Sequence, residues 1–239
     1  MMDINSIKEN VGKGAVNALV KSGMKLGLGT GSTAIPAVRH IGALLNEGKL
    51  ENILAVPTSF QTSIECEKLG IPLFTLNSKE IGGELDLTID GADEVDPQNR
   101  LIKGGGGALL LEKIVAYASA SYAIVVDESK IVENLGLKFP VPVEVVPEAR
   151  VAVTRALEKL GAQVSLREAL RKAGPVITYK GNLLLDILFT EKIDPAALEA
   201  LINRIPGVVE NGLFTGPADR TLTPAVFIGY GDGRIERRN

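Results

Sequence analysis

The residues that could do chemistry crowd into one stretch. Asp90, Asp93, Glu94 and Asp96 lie close together, Lys103 follows, then four glycines, Gly104 to Gly107, and then Glu112. Neighbouring carboxylates repel one another, and glycines cost backbone entropy. The apolar run "DLTI" reads as a buried parallel strand, so Asp90 falls at its carboxyl end, where open α/β sheets bind ligands. Asp93 follows a Gly91-Ala92 turn and faces the same crevice. Glu112 interrupts the aliphatic face of "ALLLEKIVAYA". A carboxyl in an apolar pocket has its pKa raised, which suits a general base working near neutrality. Taken singly, Asp90 and Asp93 read equally as turn or N-cap residues, and Glu112 as a helix-surface acid paired with a lysine. Glu94 and Asp96 read as solvated turn residues.

Two glycine-rich loops could meet an anion. "GLGTGST", Gly27 to Thr33, sits between a strand and a helix, where backbone N–H groups and the hydroxyls of Thr30, Ser32 and Thr33 can point at a ligand. A dinucleotide fits poorly. The third glycine of the fingerprint falls on Ser32, and the second strand runs into Pro57 and Thr58 with no acid for a ribose. No Gly-Lys-Ser/Thr follows for a nucleotide triphosphate loop. A monophosphate site and a plain tight turn both remain open. "KGGGGA" leads straight into an apolar helix, which favours a shaped ligand loop over a flexible hinge.

The totals exclude several classes. The 239 residues are 45% hydrophobic, 23% charged and only 4% aromatic, with net charge −3. This is a globular chain packed with aliphatic side chains, without the basic footprint or stacking platform of a nucleic-acid binder and without a charge bias toward anionic membranes. One cysteine, Cys66, excludes an internal disulfide framework and a cysteine-rich zinc site. The N-terminal stretch carries no signal-peptide core, and no apolar run reaches membrane-span length, so a soluble protein of a reducing compartment is expected. The one histidine, His40, lies in the apolar-periodic "AIPAVRHIGALL" and reads as a helix-packing residue. Proton transfer then falls to carboxylates and lysines.

The elements that must position these residues alternate. "MKLGLG", "NILAV", "IPLFTL", "LDLTI" and "YAIVV" read as strands; "TAIPAVRHIGALLNEG", "SFQTSIECEKLG" and "ALLLEKIVAYASA" read as helices. Aliphatic strands alternating with helices predict a parallel sheet covered on both faces. The prolines of "FPVPVEVVP" mark a boundary near Phe139. Beyond it come a strand ("VEVV"), a helix ("EARVAVTRALEKLG"), a strand ("QVSLRE") and a hairpin ("PVITYKGNLLLDILF") turning at Lys180 to Asn182. A helix opened by Asp194 and Pro195 and the strand "VVENGLF" complete the series. That order predicts a ferredoxin-like α+β domain over 139–207, beside a Rossmann-like parallel-sheet domain over 1–138 and 208–239, to which "PAVFIGYGDG" returns a strand.

"GLGTGSTA", "DGADEVD", "LIKGGGGALLLEK" and "IPGVVENGLF", with the "FPVPVEVVP" boundary, resemble the ribose-5-phosphate isomerase type A family nearly end to end. The resemblance implies a Rossmann-like plus ferredoxin-like fold and a cytoplasmic enzyme. It further implies a homodimer or homotetramer that needs no metal or organic cofactor and acts on a small sugar phosphate. By resemblance, Glu112 is the base moving a proton between C1 and C2. Asp90 assists ring opening, and Asp93 and Lys103 contact hydroxyls and stabilise the oxyanion. Thr30, Gly31, Ser32 and Thr33, with Gly91, Ala92, Gly104, Gly105 and Gly106, correspond to substrate-binding loops. Lys130 is a further substrate contact and Lys8 a phosphate ligand. Leu110 and Leu111 stand where relatives often carry polar or basic residues. Fold alone leaves open a non-catalytic sugar-phosphate sensor, an aminosugar-phosphate deaminase and a carboxylate Mg²⁺ site.

Overall fold

A computed structural model describes residues 2–239. In chain order it runs α1 (Ile4–Leu19), β1 (Lys25–Leu28), α2 (Ala34–Asn46), β2 (Leu54–Pro57), α3 (Phe60–Leu69), β3 (Leu85–Asp90), β4 (Glu94–Val95), β5 (Leu101–Ile102), α4 (Leu109–Tyr117) and β6 (Ser119–Asp127). There follow β7 (Val141–Val145), α5 (Arg150–Lys159), β8 (Gln163–Leu166), β9 (Leu183–Leu188), α6 (Pro195–Asn203), β10 (Val208–Asn211), β11 (Leu213–Phe214), β12 (Ala225–Gly229) and β13 (Ile235–Arg238). Two compact units result. The first comprises the chain up to Ala92, Leu111–Lys130 and Gly216–Asn239; the second comprises Asp93–Leu110 and Ile131–Thr215. The second therefore takes in residues 93–110, 131–138 and 208–215 as well as 139–207.

The first unit holds a six-stranded sheet, β13-β12-β6-β3-β1-β2, parallel except for β13, which pairs antiparallel with β12. β3 and β6 are buried almost throughout because they lie inside the sheet with helices over them, which explains their near-continuous apolar sequence. Leu26, Leu28, Val38, Ile41, Ile53 and Val125 form the centre of its core. α1 was not anticipated, although Asp3 caps it by accepting the N–H groups of Asn5 and Ser6. It packs closely on α2, and a side chain at Gly12 would meet the Ala37 backbone. "IPLFTL" is not a strand. It makes one bridge, Ala55 to Leu73, and then the Ser78 hydroxyl takes the Thr75 N–H and turns the chain away. The helix expected over "ALLLEKIVAYASA" stops at Tyr117, and Ser119 already begins β6.

The second unit carries an antiparallel sheet, β10-β7-β9-β8, joined through α5 and α6, the split βαβ order expected. Val143, Val153, Leu157, Leu185, Ile187 and Ile202 fill its core. Asp194 caps α6 with Pro195 in the first turn, as expected. The expected hairpin keeps its turn, with Thr178 N–H to Asn182 O at 2.9 Å, but its first arm reduces to the bridge Ile177–Leu183. Both edges of β9 are already taken by β7 and β8. "VVENGLF" breaks at Gly212. β10 joins the four-stranded sheet, while β11 joins a small third sheet, β11-β5-β4, not read from the sequence.

Candidate active site

In the first unit all the parallel strands end at one edge, and that edge gathers the polar residues. β3 delivers Asp90 there, 1% exposed. Its Oδ1 accepts the Thr30 N–H at 2.9 Å and the Gly91 N–H at 2.8 Å. Charge-assisted bonds of this kind contribute about 1.5–3 kcal/mol each and offset the cost of burying the carboxylate. Gly29 permits the approach: a side chain there would overlap the Asp90 carboxylate itself.

The Thr30–Thr33 loop is organised by hydroxyls that the sequence motifs did not single out. Thr30 Oγ1 lies 2.7 Å from both Thr58 Oγ1 and Ser59 Oγ, and Thr62 Oγ1 donates to Gly29 O at 2.7 Å. Thr58, Ser59 and Thr62 are buried. The available signal was "PTSF", polar residues directly after a parallel strand. Gly31, at φ +90°, donates its N–H to Gln61 Oε1 at 3.0 Å. Lys8, delivered by α1, donates to Ser32 Oγ at 2.8 Å. Thr33 stands at the N-cap of α2 with its hydroxyl not spent on capping. The loop thus collects a cation, hydroxyls and helix N–H groups, the chemistry of a phosphate site.

Asp127, at the end of β6, is buried and accepts the Ser129 N–H at 3.0 Å and the Ser129 hydroxyl. It thereby fixes the short turn Glu128–Lys130 that carries half-buried Lys130. Glu112 is 4% exposed, in the first turns of α4. Its surroundings are not the solvent-facing helix surface of the alternative reading. Leu85 N–H, at the start of β3, donates to Ala118 O just past α4, and the Thr88 hydroxyl, further along β3, donates to Val115 O, so the chain from Glu112 to Ala118 runs opposite to β3 and Glu112 lies toward the carboxyl edge.

In the second unit, Asp93 donates its N–H to Ile102 O at 2.8 Å, and its Oδ2 accepts the Gly105 N–H at 2.8 Å. A side chain at Gly105 would stand 2.6 Å from Asp93 Oδ1 and 2.9 Å from the Phe139 ring, so this glycine is required by close approach. Gly107 N–H closes a turn on Gly104 O at 2.9 Å. Lys103 is 2% exposed. Its N–H binds Gly212 O at 2.9 Å, and its ammonium lies 5.5 Å from the centre of the Phe214 ring, a cation–π contact.

Glu94 and Asp96 correct the expectation of solvated turn acids: they are 2% and 1% exposed. Glu94 accepts the N–H groups of Gly136 and Phe139 at 2.8 and 2.9 Å, and burial pushes its carboxyl above the ordinary glutamate range against those bonds. Asp96 accepts the N–H groups of Gln98 and Arg100 and pairs with Arg100 Nε at 2.6 Å. Asp96 thus builds the turn between β4 and β5, and Glu94 ties β4 to the Gly136 and Phe139 backbone. His40 Nε2 sits 2.7 Å from Asn17 Oδ1, tying α2 to α1, and burial lowers its pKa. The Cys66 thiol is buried and pushed up to about 12, unfit as a nucleophile. Among the described residues no helix is long and apolar enough to cross a membrane, and no three His, Cys, Asp or Glu side chains are grouped to hold a metal ion.

Residues 54–233 match the family described as ribose 5-phosphate isomerase A (phosphoriboisomerase A). The chain belongs to that family. The ribose-5-phosphate isomerase A of Treponema denticola is 53% identical over 242 residues, covering 98% of this chain and 99% of the relative. The solved ribose 5-phosphate isomerase A of Methanocaldococcus jannaschii is 42% identical with a TM-score of 0.89, over 99% of this chain and 100% of that one. A D-ribose-5-phosphate isomerase solved in complex with phospho-erythronic acid is 38% identical, with a TM-score of 0.91 over the full length of both chains.

Proposed function

We propose that this chain interconverts ribose 5-phosphate and ribulose 5-phosphate by proton transfer, with Glu112 as the base and with no metal ion. The observation that carries the reading is the burial of Glu112 in a chain of this family: a sensor of sugar phosphates needs anion contacts but no buried carboxyl. A relative bound to phospho-erythronic acid, a phosphorylated sugar acid, supports a substrate of the same class.

On this reading Asp90 assists opening of the furanose ring. Glu112 takes the proton from C2 of the open aldehyde. The C–H electrons form the C1–C2 double bond, and the carbonyl π electrons move to O1. The Lys103 ammonium stabilises that oxyanion, and Asp93 orients the sugar hydroxyls. Returning the proton to C1, as the C2 hydroxyl gives up its own proton to O1, leaves the 2-ketose and restores every group. Ser32, Thr33, Lys8 and the first N–H groups of α2 hold the phosphate, and Lys130 adds a cation. Gripping the remote phosphate supplies orientation for the reacting carbons. Gly91, Ala92, Gly104 and Gly106 line the substrate through backbone. The assembly is a homodimer or homotetramer in the cytoplasm.

The test is ribulose 5-phosphate formation by purified protein in excess EDTA. Sustained turnover is expected. No turnover with or without chelator rejects the isomerase, and turnover lost only in EDTA rejects the metal-free mechanism. Sedimentation velocity at micromolar protein checks the assembly, and a monomer there removes it.

A further inference from the structure

We infer that Arg167 and Asp186 form a positioning pair that fixes the Gly104–Gly105 peptide and, through it, the Asp93 carboxylate. The inference rests on the isomerase reading above and concerns residues that it leaves without a role.

Arg167 follows β8 with its backbone held on both sides. Its N–H donates to Leu184 O and its carbonyl accepts the Val176 N–H, each at 2.9 Å. Asp186 sits in β9, in register with Pro142 on one neighbour and Ser165 on the other. The two side chains are 15% and 17% exposed and meet in a fork: Nε donates to Oδ2 at 2.8 Å, and Nη2 to Oδ1. The third nitrogen, Nη1, donates to Gly104 O at 3.1 Å and Gly105 O at 3.0 Å.

Gly104 O and Gly105 N belong to the same peptide group. Arg167 holds its carbonyl end, and Asp93 Oδ2 holds its N–H end at 2.8 Å. A peptide is a rigid plate, so gripping both ends removes its rotation. A plate flanked by two glycines, one of them at φ +95°, would otherwise turn over at little steric cost. Turning it would take the N–H from Asp93 and offer a carbonyl instead, repelling the carboxylate that the reading assigns to the sugar hydroxyls. A lysine can substitute only in part, since one ammonium does not span a carboxylate fork and two carbonyls.

Three variants of the full chain test this: Arg167→Ala, Arg167→Lys and Asp186→Asn. Amide hydrogen exchange reads the loop without reference to activity. Arg167→Ala is expected to speed exchange at Gly105 and Gly107 at least about tenfold while Val143, in the core of the same unit, stays protected. In steady-state kinetics kcat is expected to fall on the order of 10²-fold with a much smaller change in KM, Arg167→Lys being intermediate. Combining Arg167→Ala with Asp93→Asn should cost less than the sum of the single effects, because both act on one peptide. Exchange that rises uniformly, wild-type kcat in Arg167→Ala, or strict additivity with Asp93→Asn overturns the positioning role. If Arg167→Ala does not fold, Asp186→Asn, which keeps side-chain size, carries the same measurements, and the same outcomes support or overturn the pair. A wild-type protein that converts no ribose 5-phosphate rejects the isomerase reading instead, and the exchange result then stands or falls alone.

Discussion

Glu112 and Glu94 are both buried glutamates, yet they invite opposite predictions. Replacing Glu112 by Gln keeps shape and removes the carboxyl proposed as the base, so ribose 5-phosphate binding should persist while kcat falls on the order of 10²- to 10⁴-fold. Calorimetric binding beside steady-state kinetics checks this, and near-normal kcat removes Glu112 from the role. Glu94 accepts the backbone N–H groups of Gly136 and Phe139, and burial raises its pKa. The folded state therefore holds the Glu94 proton more tightly than the unfolded chain. The sign follows from linkage: this carboxyl's contribution to stability is greatest in acid and declines as pH rises from the ordinary glutamate value of 4.5 through the raised folded value. Urea unfolding across that window should show wild type losing stability relative to Glu94→Gln with rising pH, and a flat difference contradicts it. At this scale the sequence sorted its acids only in part. Asp90 was placed by the apolar strand before it, whereas the burial of Glu94 depends on partners up to 45 positions away in the chain.

The Thr30–Thr33 loop keeps its shape because Gly29, just past β1, leaves room for the Asp90 carboxylate at the end of β3. Gly29→Ala should push the Asp90 carboxylate off the Thr30 N–H, costing about 1–3 kcal/mol by overpacking and lowering kcat more than it raises KM. Thermal unfolding and kinetics test this together, and unchanged values would show that the strand end relaxes freely. β1, β2, β3 and β6 were legible because strands buried on both faces read as aliphatic runs. β4 and β5 were not, since two-residue strands carry no period, and β11 was read only as the end of "VVENGLF". α1 lacked a reading too, and with it went the geometric reason for Lys8 beside Ser32.

The chain passes from one compact unit to the other after Ala92, Leu110, Lys130 and Thr215. No single segment therefore owns the second unit's core: Ile102 packs with Val143 and Leu213, and Glu94 anchors Gly136 and Phe139. Residues 131–215 expressed alone should lose the β4 and β5 ribbon and unfold with markedly reduced cooperativity, as read by circular dichroism during heating. A sharp transition like that of the full chain would show that the ribbon is dispensable. The sequence by itself determined the fold class, the family and the identity of Asp90, Asp93, Lys103 and Glu112 as residues of interest, because aliphatic periodicity and short glycine-acid motifs are local signals. Only the tertiary structure decided which acids are buried, which hydroxyls hold the loop at Thr30, and that Arg167 grips the glycine loop. Those are contacts between residues distant in the chain, and burial and hydrogen-bond partners exist only once packing brings them together.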